Sequence, residues 1–163
     1  MLSTTDMPGL VTKWLLRTPN ALYDAGLGGL LGHRFLQLTH RGRRSGRLHS
    51  TVVEVVARDE VTRELTVVSG FGPTANWYRN VLAGGAVEVR VARERWRPAI
   101  RQLGEHEAVA ALADYEHRNR LAAPIIRIVL SRLTGFRYDG SDEARRRVIQ
   151  NLPLIALRPA GPV

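Results

Sequence analysis

From Arg34 onward the hydrophobic pattern changes period. Before it, Leu10, Val11, Trp14 and Leu15 recur at helical spacing, with Asp6 and Pro8 as start signals. Thr18 and Pro19 suit the cap and first position of a second short helix. Gly26, Gly28, Gly29 and Gly32 then break helical continuity. Residues 35–39 switch to a period of two, the signature of a strand. Residues 42–47 read as a loop, 50–57 as a β-branched strand and 65–69 as a third strand. Residues 75–83 are helical in pattern, and Gly84 and Gly85 stop them. The valines of 86–91 fall on one face, and 96–103 return after a short turn. Residues 105–119 form an amphipathic helix and 125–133 a more apolar one. Ser141 caps a short helix that opens with Asp142 and Glu143 and ends with Arg145, Arg146 and Arg147, an order that suits the helix dipole. Residues 152–157 close the chain as a sixth strand.

Six strands with no βαβ rhythm and no internal repeat argue against a doubly wound sheet. The expectation is an α+β fold, mainly β: a small antiparallel barrel with N-terminal, inserted and C-terminal helices. At 163 residues, 44 % of them hydrophobic and 24 % charged, the chain is long enough for one folded domain, with residues 1–30 as a helical N-terminal extension.

Composition narrows the chemistry. The absence of cysteine excludes a disulfide scaffold, a thiolate nucleophile and Cys-ligated metal. Lys13 is the single lysine, so a phosphate loop built on lysine is excluded too. The five histidines show no i, i+4 pair, and no metal site is expected. No apolar run reaches the roughly 18 to 20 residues that span a bilayer. Residues 1–8 lack the charged start and apolar core of a signal peptide, so a cytoplasmic location is expected. A net charge of +9, carried almost wholly by arginine, calls for an anionic partner: a phosphorylated cofactor, nucleic acid or an acidic membrane face.

Two segments carry candidate chemistry. The first, residues 40–49, is His-Arg-Gly-Arg-Arg-Ser-Gly-Arg-Leu-His between two predicted strands. Its glycines let the backbone turn N–H groups towards a ligand, and its arginines are forked donors suited to phosphate or carboxylate. Composition alone equally allows a solvated basic hairpin. The second, residues 69–80, is a strand end, a Gly-rich turn and a helix start: Ser-Gly-Phe-Gly-Pro-Thr-Ala-Asn-Trp-Tyr-Arg-Asn. A helix start offers free N–H groups to an anion. Trp77 and Tyr78 either flank a flat ligand or belong to the core.

Taken together, residues 39–46, then Val67-Val68-Ser69-Gly70, then Asn76-Trp77-Tyr78-Arg79-Asn80 resemble the deazaflavin-dependent nitroreductase family. Its members are actinobacterial split-β-barrel oxidoreductases that use coenzyme F-420, an 8-hydroxy-5-deazaflavin. The arginine-for-lysine bias is compatible with such a source. The resemblance is strongest over residues 34–91 and returns at 152–159.

The resemblance implies a six-stranded antiparallel split β-barrel and a cofactor site spread over both motifs. Arg43, Arg44 and Ser45 would hold the phosphate-bearing tail. His49 stands where relatives often carry a stronger base. Ser50, Thr51, Val52, Val53 and Glu54 would run along the deazaflavin ring by backbone contacts. Val67, Val68, Ser69 and Gly70 would line the ring from the next strand, and Asn76, Trp77, Tyr78, Arg79 and Asn80 would cap the site. The implied activity is hydride transfer from reduced F-420 to an electron-poor acceptor such as a quinone, a nitroaromatic or an activated enone. Ser69 is then the candidate to polarise the acceptor oxygen. In some relatives a C-terminal tyrosine cluster assists acceptor binding. Here Tyr115 and Tyr138 are too far apart in sequence to reproduce it.

Three other readings compete. Split barrels also bind flavin mononucleotide (FMN), whose phosphate suits the same arginine loop. A nucleic-acid-binding barrel fits the net charge, but the arginines at 41–47, 93–101 and 145–147 form no single stripe, so no nucleic-acid partner is expected. A hydrolase is disfavoured because Gly42-Arg43-Arg44-Ser45-Gly46 misplaces the serine for a nucleophile elbow. The helix at 125–133 is open to three roles: packing on the barrel, a lid over an acceptor pocket, or a peripheral contact with a membrane. Monomer and homodimer are both compatible with the sequence.

Overall fold

The computed structural model describes residues 32–163, together with Asp24 and Gly29. The expected helices upstream of Gly26 lie outside the described residues. Six strands, β1 (Phe35–Arg41), β2 (Leu48–Arg58), β3 (Leu65–Val68), β4 (Ala86–Val91), β5 (Glu94–Gln102) and β6 (Leu154–Gly161), close into a barrel in the order β1-β2-β3-β6-β5-β4. Every pairing is antiparallel. The expected fold class is therefore observed.

Closure follows from alternation. Leu36, Leu38, Val53, Val67, Val89, Val91, Trp96, Ile155 and Leu157 form one buried cluster inside the barrel. Each contributes the period-two face that a closed sheet turns inward. Complete burial of a Leu or Ile side chain stabilises by roughly 1.5–3 kcal/mol relative to exposure.

Helix α1 (Asn76–Asn80) is shorter than the sequence suggests. It passes into a wider π-type turn over Val81–Gly85, where Gly84 takes φ 82°. Gly85 is required here, because a Cβ would sit 2.6 Å from the Arg41 carbonyl oxygen and 2.7 Å from that of Asn80. Trp77, Tyr78 and Val81 plug one end of the barrel.

Helices α2 (Glu105–Arg118), α3 (Ala123–Thr134) and α4 (Asp142–Asn151) pack outside β2, β3 and β6. A single 3-10 turn, Arg120–Ala122, joins α2 to α3. Ser141 caps α4 as expected, accepting from the Ala144 N–H. The helix runs on to Asn151, so Arg145, Arg146 and Arg147 lie within it and not, as expected, at its end. Arginines tie this layer together. Arg101 donates to both Glu64 and Glu107, tying the barrel to α2. Arg145 donates to Glu116 on α2 and Asp142 on α4, and the Tyr138 hydroxyl donates to the same Glu116 at 2.6 Å. Arg147 stacks over Phe136.

Candidate functional site

The two sequence motifs meet at one end of the barrel. The β1–β2 loop folds on itself: the Gly42 N–H donates to Arg47, the Gly46 N–H to Gly42, and the Arg41 guanidinium to the Gly46 carbonyl at 2.8 Å. A Cβ on Gly42 would lie 2.5 Å from the Ser45 hydroxyl, which would have to turn away from the Arg47 N–H it accepts from. The loop is fastened to α1 by one residue. Asn80 Oδ1 accepts from the Arg43 backbone N–H at 3.1 Å and from its guanidinium at 2.9 Å. That leaves the Asn80 amide to donate to His40 Nδ1 at 3.2 Å. His40 is thereby held as a neutral acceptor. Burial, and then the neighbouring His49, push its pKa below the ordinary 6.5. The two imidazoles are stacked, 5.8 Å between centroids.

The result is an open basic groove of about 510 Å³ lined by Arg43, Arg44, Ser45, His49, Asn76, Trp77 and Asn80, with His40 and Gly42 at its base. Desolvation, then the positive charges of Arg79 and Arg44, lower the Arg43 pKa. Arg43 and Arg44 in the groove, with Arg79 close to Arg43, thus form a group of cations whose mutual repulsion an anion would relieve. Arg44 has no hydrogen bond or ion pair to another side chain among the described residues.

Other candidate residues fall elsewhere. Thr51 is half-buried, and Ser50 is exposed beside Thr39, 3.2 Å between hydroxyls. Val52 and Gln37, partners across β1 and β2, are both buried, and the Gln37 amide donates to Asp24. Val53, Val67 and Tyr78 point into the barrel core, with Tyr78 edge-on to Trp77; Tyr78 is no stacking platform, whereas Trp77 belongs to the core and also lines the groove. Ser69 lies just beyond the end of β3 and is 0 % exposed. Its hydroxyl donates to the Gly72 carbonyl at 2.7 Å and closes the turn into α1. That placement departs from the expected acceptor-facing hydroxyl: the proton is spent inside the turn.

Glu54, Val68 and Gly70 instead border a second pocket, of about 260 Å³, between the outer barrel wall and helices α2, α3 and α4. Its walls are mostly aliphatic, including Leu112, Ile126, Val129, Leu130 and Leu154. Its polar groups are Arg34, Glu54, Tyr115 and Asn119. The Tyr115 hydroxyl donates to Glu54 at 2.6 Å, and Arg34 Nε lies 3.6 Å from the same carboxylate. Burial, then the bond to Glu54, raise the Tyr115 pKa well above the ordinary tyrosine range, so the phenol stays protonated.

Sequence reasoning missed this polar group, because its members come from three distant segments. It also missed His40 as a site residue. The signal for His40 was available: it continues the inward series Leu36, Leu38 in β1.

A closed six-stranded antiparallel barrel with outer helices and an arginine-lined groove at its rim places the chain in the split-barrel class. The chain belongs to the F420H(2)-dependent quinone reductase family, whose model matches residues 15–125. It is accordingly an F420-dependent reductase.

Among solved structures, an F420-H2 dependent reductase is similar at 19 % identity and TM-score 0.44, covering 78 % of this chain and 96 % of that one. A protein of unknown function from Agrobacterium tumefaciens is similar at 14 % identity and TM-score 0.50, covering 88 % of this chain and 57 % of that one. An FMN-binding, pyridoxamine 5'-phosphate oxidase-related protein from Nostoc punctiforme is similar at 13 % identity and TM-score 0.41, covering 88 % and 78 %. No curated protein matches the chain.

Proposed function

We propose that the protein uses reduced coenzyme F-420 to reduce an apolar, electron-poor acceptor of the quinone or activated-carbonyl class. The observation that carries this reading is the basic rim groove, lined by Arg43, Arg44, Ser45, His49 and Asn76, with the charge of Arg79 close to Arg43. The donor set fits the phosphate and carboxylates of a deazaflavin tail, which needs forked cations and small donors rather than a metal. Arg44 and Ser45 bind the tail, His49 adds a donor, and Arg43 is the residue that shapes the loop. Ser50 and Thr51 offer strand backbone to the ring.

When bound, the reduced cofactor supplies a hydride, and the acceptor also takes up one proton. The chain's part is to bind, orient and exclude water. The aliphatic cavity supports this division: its Glu54 lies five residues along β2 from His49, about 16 Å at strand rise. A cofactor with an anionic tail and a flat ring is long enough to reach from one pocket to the other. Tyr115 is the hydroxyl at the cavity edge; to take the role the sequence suggested for Ser69 it turns its one proton from Glu54 to the acceptor oxygen, leaving Arg34 beside the carboxylate.

The test is a fluorescence titration of the purified protein with F-420, with FMN as the competing ligand. The reading expects F-420 binding that FMN does not match and that weakens on Arg44→Ala. Preference for FMN, or F-420 binding indifferent to Arg44, overturns it.

A further inference from the structure

Helix α3 leaves an apolar stripe uncovered. Ile125, Ile128, Val129 and Leu133 are 44–65 % exposed, and Leu121 in the preceding 3-10 turn is 95 % exposed. Their i, i+3, i+4, i+8 spacing puts the four helical residues on one face. A contiguous patch of large aliphatics on one element marks an interaction surface, unlike singly scattered ones. Ile125, Val129 and Leu133 also line the apolar cavity together with Ile126 and Leu130, so the exposed stripe forms the rim of that cavity.

The surrounding charge selects the partner. Residues 117–138 carry five arginines, Arg118, Arg120, Arg127, Arg132 and Arg137, and no aspartate or glutamate. Arg118 is paired with Asp114 on its own helix, and Arg127 leans over Gly140 near Asp139. Arg120, Arg132 and Arg137 are exposed, and among the described residues none has an ion-pair partner. Arg132 sits one turn beyond Ile128, so its stem extends the stripe and its guanidinium ends it.

A second copy of the chain is a poor occupant. An isologous contact along α3 would set arginine against arginine with no acid on the patch to compensate. An anionic bilayer satisfies both features at once: aliphatic side chains enter the headgroup–acyl boundary while arginines meet lipid phosphates. At 12 residues α3 is too short to span, and among the described residues no helix is long and apolar enough to cross a membrane.

We infer that α3, with the turn before it, is a docking surface that seats the protein in the plane of an anionic membrane. Docking then brings the cavity rim against the lipid, the phase in which an apolar acceptor concentrates. The surface shares Ile125, Val129 and Leu133 with the cavity but extends beyond it through Leu121 and Ile128, and it does not depend on the identity of the cofactor.

The test is co-sedimentation of the cofactor-free full chain with vesicles, in parallel with light scattering of the protein alone. Binding is expected to mixed phosphatidylcholine–phosphatidylglycerol vesicles, much reduced on pure phosphatidylcholine. Arg132→Glu and Arg120→Glu should each weaken it about fivefold or more. Ile128→Glu, at an exposed position, should weaken it at unchanged thermal stability. No binding to the anionic vesicles, or variants that bind as well as the parent, overturns the inference. So does a dimer in solution that Ile128→Glu converts to monomer, since a second copy would then cover the stripe.

Discussion

A single oxygen atom, Oδ1 of Asn80, receives both the backbone N–H and the guanidinium of Arg43. The bond pair joins the β1–β2 loop to α1, thirty-seven residues on, and fixes the amide so that it can only donate to His40. Two stretches that look like independent motifs in the sequence are therefore one site. The hinge of that site is a buried amide, and its arginines sit on the groove wall.

Asn80→Leu strips the Arg43 N–H and the His40 ring nitrogen of their partners together. Leaving such groups unpaired costs roughly 1–3 kcal/mol each. The expected outcome is a large drop in urea midpoint at unchanged slope, with weaker binding of F-420. Asn80→Asp is the informative companion: it keeps the acceptor for Arg43 and removes the donor for His40, so it should retain more of the binding than Asn80→Leu.

Arg44 behaves differently from Arg43. It makes no side-chain bond among the described residues, so Arg44→Ala should leave the melting temperature unchanged. Loss of one charge-assisted contact of about 1.5–3 kcal/mol predicts F-420 binding weakened about tenfold to a hundredfold. Arg43→Ala should lower stability and binding together. Fluorescence titration alongside thermal melts separates the two patterns.

His40 gives the stability a pH limb. Its folded pKa lies below the ordinary 6.5, so the unfolded chain takes up this proton more readily than the folded one. The contribution is level above 6.5 and stability falls as the pH drops below that value, because the unfolded chain binds the proton that the folded ring, accepting from Asn80, resists. Melting temperatures followed downward through this window should show the fall. His40→Gln, which keeps an acceptor without a titrating ring, should flatten it.

The barrel was legible because its code is local. The valines of β4 and the β-branched run of β2 alternate within a few residues, and closure only requires that each strand bury one face. Trp77 and Tyr78 were not legible, because an aromatic pair at a helix start looks the same whether it plugs a barrel or stacks on a ligand. The Arg34–Glu54–Tyr115 group was out of reach for another reason. Its residues are separated by twenty and sixty-one positions and meet only because α2 packs across β2. The same limit hid the partners of Arg101 and Arg145, whose glutamates arrive from other elements.

Tyr115→Phe removes the hydroxyl from the cavity edge and leaves the aromatic ring in place. The bond it makes to Glu54 is worth on the order of 1.5 kcal/mol, because the acceptor is charged. A modest loss of stability is expected. If the hydroxyl orients the acceptor, the larger effect falls on acceptor turnover while F-420 affinity holds. Steady-state kinetics with a soluble quinone analogue check this. Because the phenol stays protonated, Tyr115 adds no ionisation of its own below the usual tyrosine range.

Ser69 and Tyr115 are the two hydroxyls between which the chemistry must choose, and their surroundings predict opposite results. Ser69 is fully buried, donates to the Gly72 carbonyl, and its own carbonyl accepts from the Gly72 N–H at 2.9 Å. Gly72 itself holds φ 76°, and a Cβ there would stand 3.0 Å from the Asn151 carbonyl, so the turn that Ser69 closes is built on glycine. Ser69→Ala should therefore cost about 1 kcal/mol of stability, read in a urea melt, and leave turnover per folded molecule close to that of the parent. A loss of hundredfold or more in turnover at unchanged stability, the size seen when a donor to a developing oxyanion is removed, would instead place the Ser69 hydroxyl on the acceptor.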